Sequence, residues 1–454
     1  MMKPRFIIAG CITMVLMTVT VFKSLYAAEE YSLADLYKIA LERSERIKLS
    51  EEDLYISERA KDKAVSVLFP RLSTFGNFTR YSEGKRSSTG AVIQPDYFTS
   101  WGLRLDQSLS LSGRELDAFK MSKDNIEKSK YDLYAVREEY LFGVSSAYYD
   151  VLRVKKAVDI ARANVQRLTK HRDAAAIRVR VGEVTKTVLL RAEAELSGAQ
   201  SELIRGENNL SFAKAVLVRI VGLTGDYDLK EAPDGNQYLA GYKPEDALGL
   251  LKEAALLERA EFKSLDIQKK VAGDQVKYAR GLYWPTLSIE GVYSRNDQDP
   301  TVVSIVNESI YAGLKLNFPF FEGGLRRAEV MEATAKQRQA NLIYEDLRKK
   351  INVEVENAYL DYMTQKGVLK SLEDRLAFAR DNYSAISRQF EFGLANSIDV
   401  MDANTLLVTA ERQFVDAAYN HKLSILRIER VTGRLLKRVT DKQAAVNSQD
   451  AVKK

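Results

Sequence analysis

Few residues of this chain are arranged to do chemistry. His171 and His421 are the only histidines, and they fall on helical heptad faces in different halves of the chain. A lone histidine on such a face packs or meets solvent more often than it serves as a base. No serine-nucleophile motif, glycine-rich phosphate loop or metal-ligand cluster accompanies either one. Paired acids such as Glu138-Glu139 read as solvated helix faces. The single cysteine, Cys11, lies in the N-terminal segment, so the chain beyond it offers no thiol for catalysis, disulfides or metal. The expectation is a protein that is not an enzyme and holds no cofactor or metal.

The N-terminus reads as an export signal. Lys3 and Arg5 precede an apolar stretch from Phe6 to Phe22, and Leu25-Tyr26-Ala27-Ala28 offers small residues for cleavage. Ile8-Ala9-Gly10-Cys11 looks like a lipobox, but the apolar run continues well past it. With residues 1–28 removed, Lys3, Arg5 and Lys23 go too, and the formal charge falls from +6 to +3. That mild balance, with no basic run interleaved with aromatics, gives no reason to expect a nucleic-acid partner. Apolar residues make up 46% and charged residues 29% of the chain, a folded composition.

An internal repeat organises the rest. Ala147-Tyr148-Tyr149-Asp150 matches Ala358-Tyr359-Leu360-Asp361, 211 residues on. The same offset takes Gly102-Leu103-Arg104-Leu105 to Gly313-Leu314-Lys315-Leu316, and Gly182 to Gly393. Phe69-Pro70-Arg71-Leu72-Ser73 matches Trp284-Pro285-Thr286-Leu287-Ser288 at offset 215. The expected division is a signal peptide over 1–28, a first repeat over 29–223, a linker over 224–242 rich in turn residues, a second repeat over 243–434 and a polar, disordered tail over 435–454. Such a period is far too long for a solenoid unit, so each copy is half a subunit.

Within each copy the positions that matter are set by long helices and paired strands. No proline occurs between Pro95 and Pro233 or after Pro319. Leu189, Leu196, Leu203, Leu210 and Leu217 recur every seven residues beside Ala192, Ala199, Gly206, Ala213 and Ile220, a seam whose second column is mostly small. Val400, Leu407, Phe414, His421 and Ile428 repeat it beside Ala403, Ala410, Ala417, Ser424 and Val431. From Gly113 to Arg180 a further heptad pattern is unbroken. At ~1.5 Å per residue that helix is about 100 Å long. Tyr148, Tyr149, Tyr359 and Tyr362 on these helices read as packing residues.

Four segments alternate with period two. In Ile310 to Phe318 the apolar Ile310, Leu314, Leu316 and Phe318 alternate with Tyr311, Gly313, Lys315 and Asn317. Similar alternation runs through Trp101 to Asp106 and Leu287 to Ser294, and more weakly through Arg71 to Tyr81. This is the transmembrane β-barrel pattern, apolar toward lipid, with Lys315, Arg104, Asp106 and Glu290 toward water. The polar stretches Ser82 to Pro95 and Arg295 to Glu308 serve as external loops. Four strands in lipid leave two unpaired edges, which hydrocarbon does not tolerate, so several chains must share a barrel, and three would give twelve strands.

A two-fold repeat of helix, strand pair, long helix and returning helix resembles the TolC-type outer-membrane efflux family over Tyr31 to Gly433. The resemblance rests on the Phe69-Pro70-Arg71-Leu72 and Trp284-Pro285-Thr286-Leu287 strand entries and on Phe318-Pro319-Phe320-Phe321-Glu322-Gly323-Gly324. It also rests on Phe390-Glu391-Phe392-Gly393-Leu394, followed by Ile398-Asp399-Val400-Met401-Asp402-Ala403. It implies a mainly α fold with a small β portion. Long coiled-coil-like hairpins would form an α-barrel in the periplasm, and four strands per chain would form a trimeric twelve-stranded barrel in the outer-membrane lipid. The implied function is a passive homotrimeric conduit, the outer-membrane channel of a tripartite efflux or secretion system with a periplasmic adaptor protein and an inner-membrane transporter. By similarity Val181-Gly182-Glu183 and Phe392-Gly393-Leu394 are hairpin tips that contact the adaptor, and Asp399 and Asp402 ring the constriction. Six carboxylates around a narrow neck would concentrate cations. Asp399 near a helix start is equally a cap. Ala395, Phe390 and Val188 depart from the residues that latch some members, so no latch residue carries over. The competing architecture is a periplasmic coiled-coil scaffold or adaptor, which needs neither the strands nor the repeat.

Overall fold

The computed structural model describes residues 29–225, 227–231, 248–301 and 306–441. The expected signal, with Cys11, and most of the expected linker lie outside the described residues. Strand β1 (Glu29–Tyr31) leads into helices α1 (Leu33–Arg43) and α2 (Glu45–Ser66). Strand β2 (Arg71–Arg80) is followed by a small hairpin of β3 (Lys85–Arg86) and β4 (Val92–Gln94), and then by β5 (Tyr97–Ser110). Helix α3 (Arg114–Arg180) runs out and α4 (Lys186–Val221) returns. After β6 (Tyr227–Leu229) the order repeats: α5 (Leu248–Glu258), α6 (Ala260–Arg280), β7 (Thr286–Asp299), β8 (Glu308–Asn317), α7 (Leu325–Glu391) and α8 (Ser397–Thr432). The internal repeat therefore folds twice into one design, and α3 has the expected span.

The heptad columns are the packing seams. All five members of the small column on α8, from Ala403 to Val431, are buried. On α4, Ala192, Leu196, Ala199, Ala213 and Leu217 are buried, and on α3 so are Leu133, Ala147, Ala161, Leu168 and Ala175. Small side chains let two helix backbones approach along their whole length, so no bulky knob interrupts the contact. Tyr148 is enclosed among Leu36, Leu217 and other apolar residues, and donates its hydroxyl to the Lys230 carbonyl at 2.5 Å. Tyr362 is likewise core, its ring tilted against that of His421 at 5.6 Å.

Three expectations need correction around this core. Residues 435–441 are helical rather than a disordered tail, because Leu435, Leu436 and Val439 insert into the apolar cluster. The linker contains β6, which pairs parallel with β1 through Tyr31 opposite Leu229. Glu138 is not solvated: its carboxylate accepts from the Leu435 amide at 2.9 Å, capping that terminal helical segment, and burial pushes its pKa up to about 8. Glu139 does reach solvent and pairs with Arg430 at 2.6 Å. The polar external loops are also shorter than their sequence extents, since β3 and β4 pair within the first and β7 runs on to Asp299.

The four expected strands form one antiparallel sheet in the order β2-β5-β7-β8. Register places Leu103 opposite Tyr293 and Tyr293 opposite Ile310, and likewise Leu109, Leu287 and Leu316 in one row. That face is apolar and exposed, with Leu314 at 75% and Ile310 at 82%. The other face carries Arg104 near Glu290 at 3.9 Å, and Glu290 accepts from the Tyr311 hydroxyl at 2.8 Å. Alternation thus sorts the two faces as a membrane sheet requires. Phe75 breaks the pattern on the polar face, and the space for its ring comes from Gly102. A Cβ at Gly102 would lie 2.7 Å from that ring and 2.1 Å from the Tyr293 carbonyl.

Gly102→Val should therefore cost about 1–3 kcal/mol by overpacking. It should lower the yield of protein recovered from the outer membrane, measured by immunoblot of membrane fractions. Gly76→Val, where a Cβ meets nothing within 4 Å, should leave the yield unchanged.

Candidate functional site

The two hairpin turns lie at the ends of α3 and α7, and their backbones are built alike. After α3 the Gly182 amide donates to the Val179 carbonyl at 3.1 Å and the Glu183 amide to the Arg178 carbonyl at 2.9 Å. After α7 the Gly393 amide donates to Phe390 at 3.1 Å and the Leu394 amide to Gln389 at 2.8 Å. These are paired Schellman closures, and they need a left-handed residue: φ is 77° at Gly182 and 75° at Gly393. The turns present Val181, Phe392 and Leu394 outward at 69%, 79% and 79% exposure, with Glu183 beside them. Apolar side chains this exposed at the end of a long hairpin form a surface suited to a partner.

Asp399 follows the second tip. Asn396 caps α8, its side-chain oxygen accepting from the Ile398 amide at 2.8 Å and the Asp399 amide at 3.0 Å. Asp399 returns the bond, accepting from the Asn396 amide at 3.0 Å. The capping role is therefore real and fixes the carboxylate in place. Asp402 lies one turn on, exposed on the same face, while Val400, Ala403 and Asn404 turn into the protein.

Between the two tips runs a set of polar contacts that sequence reasoning missed. Arg178 donates to the Phe390 carbonyl at 2.6 Å, and its guanidinium lies 4.1 Å from the centre of the Phe390 ring. His171 lies 2.8 Å from the Ser397 hydroxyl and 5.1 Å from the Phe390 ring, and burial with the nearby Arg178 charge lowers its pKa. Further along, Arg167 donates to Asn404 at 2.9 Å and Asn404 to Asn164 at 2.7 Å. Phe390 thus offers its aromatic face to a cation. Only the place of Asp399 near a helix start was readable beforehand; the cap itself is Asn396, with Asp399 as its reciprocal partner. Arg178 bonds to a backbone carbonyl in the other repeat, and no sequence pattern marks such a partner.

No group of three or more potential metal ligands occurs among the described residues. His421 lies against the Tyr362 ring, and His171 bonds to Ser397 across the repeats. No described helix is long and apolar enough to cross a membrane.

An exposed apolar sheet set on two long hairpins defines the fold of an outer-membrane channel, and comparison with known proteins agrees. The outer membrane efflux protein family matches residues 36–223 and 251–434. The chain belongs to that family. It is 23% identical to the outer membrane protein TolC of Escherichia coli, over 91% of this chain and 84% of that one. It is 22% identical to the alkaline protease secretion protein AprF of Pseudomonas aeruginosa, over 89% and 84%. The Campylobacter jejuni CmeC outer membrane channel superimposes with a TM-score of 0.77 at 17% identity, covering 89% of this chain and 86% of that one. The protein is an outer-membrane channel, and the scaffold alternative is set aside.

Arg178→Ala removes a charge-assisted bond worth about 1.5–3 kcal/mol. Amide exchange around Phe392 to Leu394 should speed up by roughly ten-fold or more in hydrogen-exchange mass spectrometry. Arg180→Ala, at an exposed position, should leave exchange there unchanged.

Proposed function

We propose that three copies of this chain form a passive conduit across the outer membrane and periplasm. Substrates would be delivered by an inner-membrane transporter through a periplasmic adaptor protein docked at the hairpin tips. The observation that carries this reading is the four-stranded sheet with an exposed apolar face and open edges at β2 and β8. Closure by two copies would give eight strands, an interior that side chains fill. Three copies give twelve strands and room for a channel. Helices of 67 residues, about 100 Å each, then continue the tube through the periplasm. The repeat boundaries near 223 and 243 fit this role, each half supplying two strands and one hairpin to the ring.

Val181, Gly182, Glu183, Phe392, Gly393 and Leu394 are the adaptor-contacting residues in this reading, because they crown the hairpins and are exposed. Asp399 and Asp402 line the constriction just above the tips. Their exposed carboxylates on one helix face, one of them held by a capping box, support that role. Six such charges around a narrow neck attract cations and repel anions, and transport itself needs no catalytic group.

In planar bilayers the purified protein should form cation-preferring channels. Asp399→Asn with Asp402→Asn should shift the reversal potential in a salt gradient toward zero, and the asparagine at 399 can still accept the capping bond. An unchanged reversal potential would leave both residues as structural only.

A further inference from the structure

The polar face of the sheet is not evenly polar. Its register stacks the residues of that face in rows about 7 Å apart, two residues along each strand. The row nearest the helices holds Ser110, Thr286 and Asn317, none of them charged. Lys315 lies in the next row, opposite Ser288. Arg71, Asp106 and Glu290 share the third, and Arg104 lies in the fourth between Ser73 and Val292. Every charged side chain of this face falls within those three rows, a band about 14 Å deep. The rows beyond it, toward the external loops, carry uncharged side chains such as Asn77, Ser294, Asn296 and Gln298.

The band holds three cations and two carboxylates, a surplus of one positive charge per copy. Its carboxylates are the more engaged partners. Glu290 has Arg104 at 3.9 Å and accepts from the Tyr311 hydroxyl at 2.8 Å. The Arg104 guanidinium also lies 5.7 Å from the centre of the Phe75 ring, which holds it against the wall. Arg71 and Lys315 are exposed and form no ion pair among the described residues. Behind the band, on the lipid face, Leu105, Leu314 and Leu316 make a low-dielectric backing that directs its field inward.

We propose that this band is a second charge filter, opposite in sign to Asp399 and Asp402: it favours anions, and Arg71, Arg104 and Lys315 set that preference. The inference rests on the reading of the chain as a three-copy conduit, which repeats the band around one lumen. Rings of Arg and Lys select anions in pores as carboxylate rings select cations. The two filters differ in reach. The neck is narrow, so its carboxylates dominate the ion preference of the intact channel. A barrel lumen is wider, and a wall charge reaches its axis only where screening is weak. The Debye length is about 10 Å at 0.1 M salt and about 30 Å at 0.01 M, so the band acts chiefly in dilute surroundings. A small ion of either sign is thus drawn at one end of the duct and repelled at the other, and neither sign is favoured along its whole length.

The test is ion preference in planar bilayers under a potassium chloride gradient whose dilute side is about 0.01 M. Asp399→Asn with Asp402→Asn supplies the background, because it removes the neck charges. In that background the reversal potential should fall on the anion side of zero. Adding Arg71→Gln, Arg104→Gln and Lys315→Gln should move it back toward the cation side. Adding Asp106→Asn and Glu290→Gln instead should move it further to the anion side. Both shifts should shrink in concentrated salt. Lys315→Glu alone, at an exposed position with no ion pair to lose, should also shift it toward the cation side, and decides the matter where the multiple variants do not reach the membrane. Reversal potentials that stay the same across these variants, in channels that still conduct, would overturn the second filter and leave the conduit standing. An unmodified protein that forms no channel would overturn the conduit, and the filter with it.

Discussion

A strand edge in hydrocarbon leaves a row of amide and carbonyl groups without partners, each at a cost of roughly several kcal/mol. In this chain both outer strands of the sheet, β2 and β8, present such a row, ten residues long on each. No rearrangement of four strands removes it, because a sheet this narrow cannot curl onto itself. In the proposed ring the edge groups are satisfied by neighbouring copies. Much of the rest is arranged around that requirement: the apolar outer face, the polar inner face with Arg104, Glu290 and Tyr311, and the glycine at 102 that admits a ring where the strands lie close.

The helical part solves a different problem with the same economy. A tube needs long helices that lie side by side without a solid centre, and small residues in one heptad column permit that contact. The seams are then pinned at intervals by polar groups rather than by large knobs. About midway along α7, Arg259 is buried yet donates to Glu354 at 2.6 Å, and Arg434 holds Glu258 at 2.9 Å. At the far end Arg178 and His171 tie one hairpin to the other. Breaking a buried pair of this sort is costly because it leaves the other charge unpaired.

The sequence made the repetitive features legible and left the singular ones obscure. Heptads, period-two strands and the 211-residue repeat each involve many residues, so their periods stand out, and α3, α4, α7, α8 and the four strands lie where those periods place them. Asp399 was legible as part of a helix start, but the N-cap proved to be Asn396, with Asp399 completing the capping box. By contrast, Glu138 pairs with a backbone amide 297 positions away, and β6 pairs with the first described residues. The 435–441 helix was misread as tail because its apolar residues are too few to show a period, although Leu435, Leu436 and Val439 all find the core. Arg178 was missed for the same reason as Glu138: its partner is a carbonyl, which every residue carries.

The dependence on a shared barrel is most directly tested by the mass of the intact particle. Protein extracted from the outer membrane in mild detergent and measured by native mass spectrometry should weigh three times the processed chain, with detergent required to keep it in solution. A particle of one or two chains, or one that stays soluble without detergent, would contradict the account. It would mean that the edges of β2 and β8 are satisfied in some way other than by two neighbouring copies.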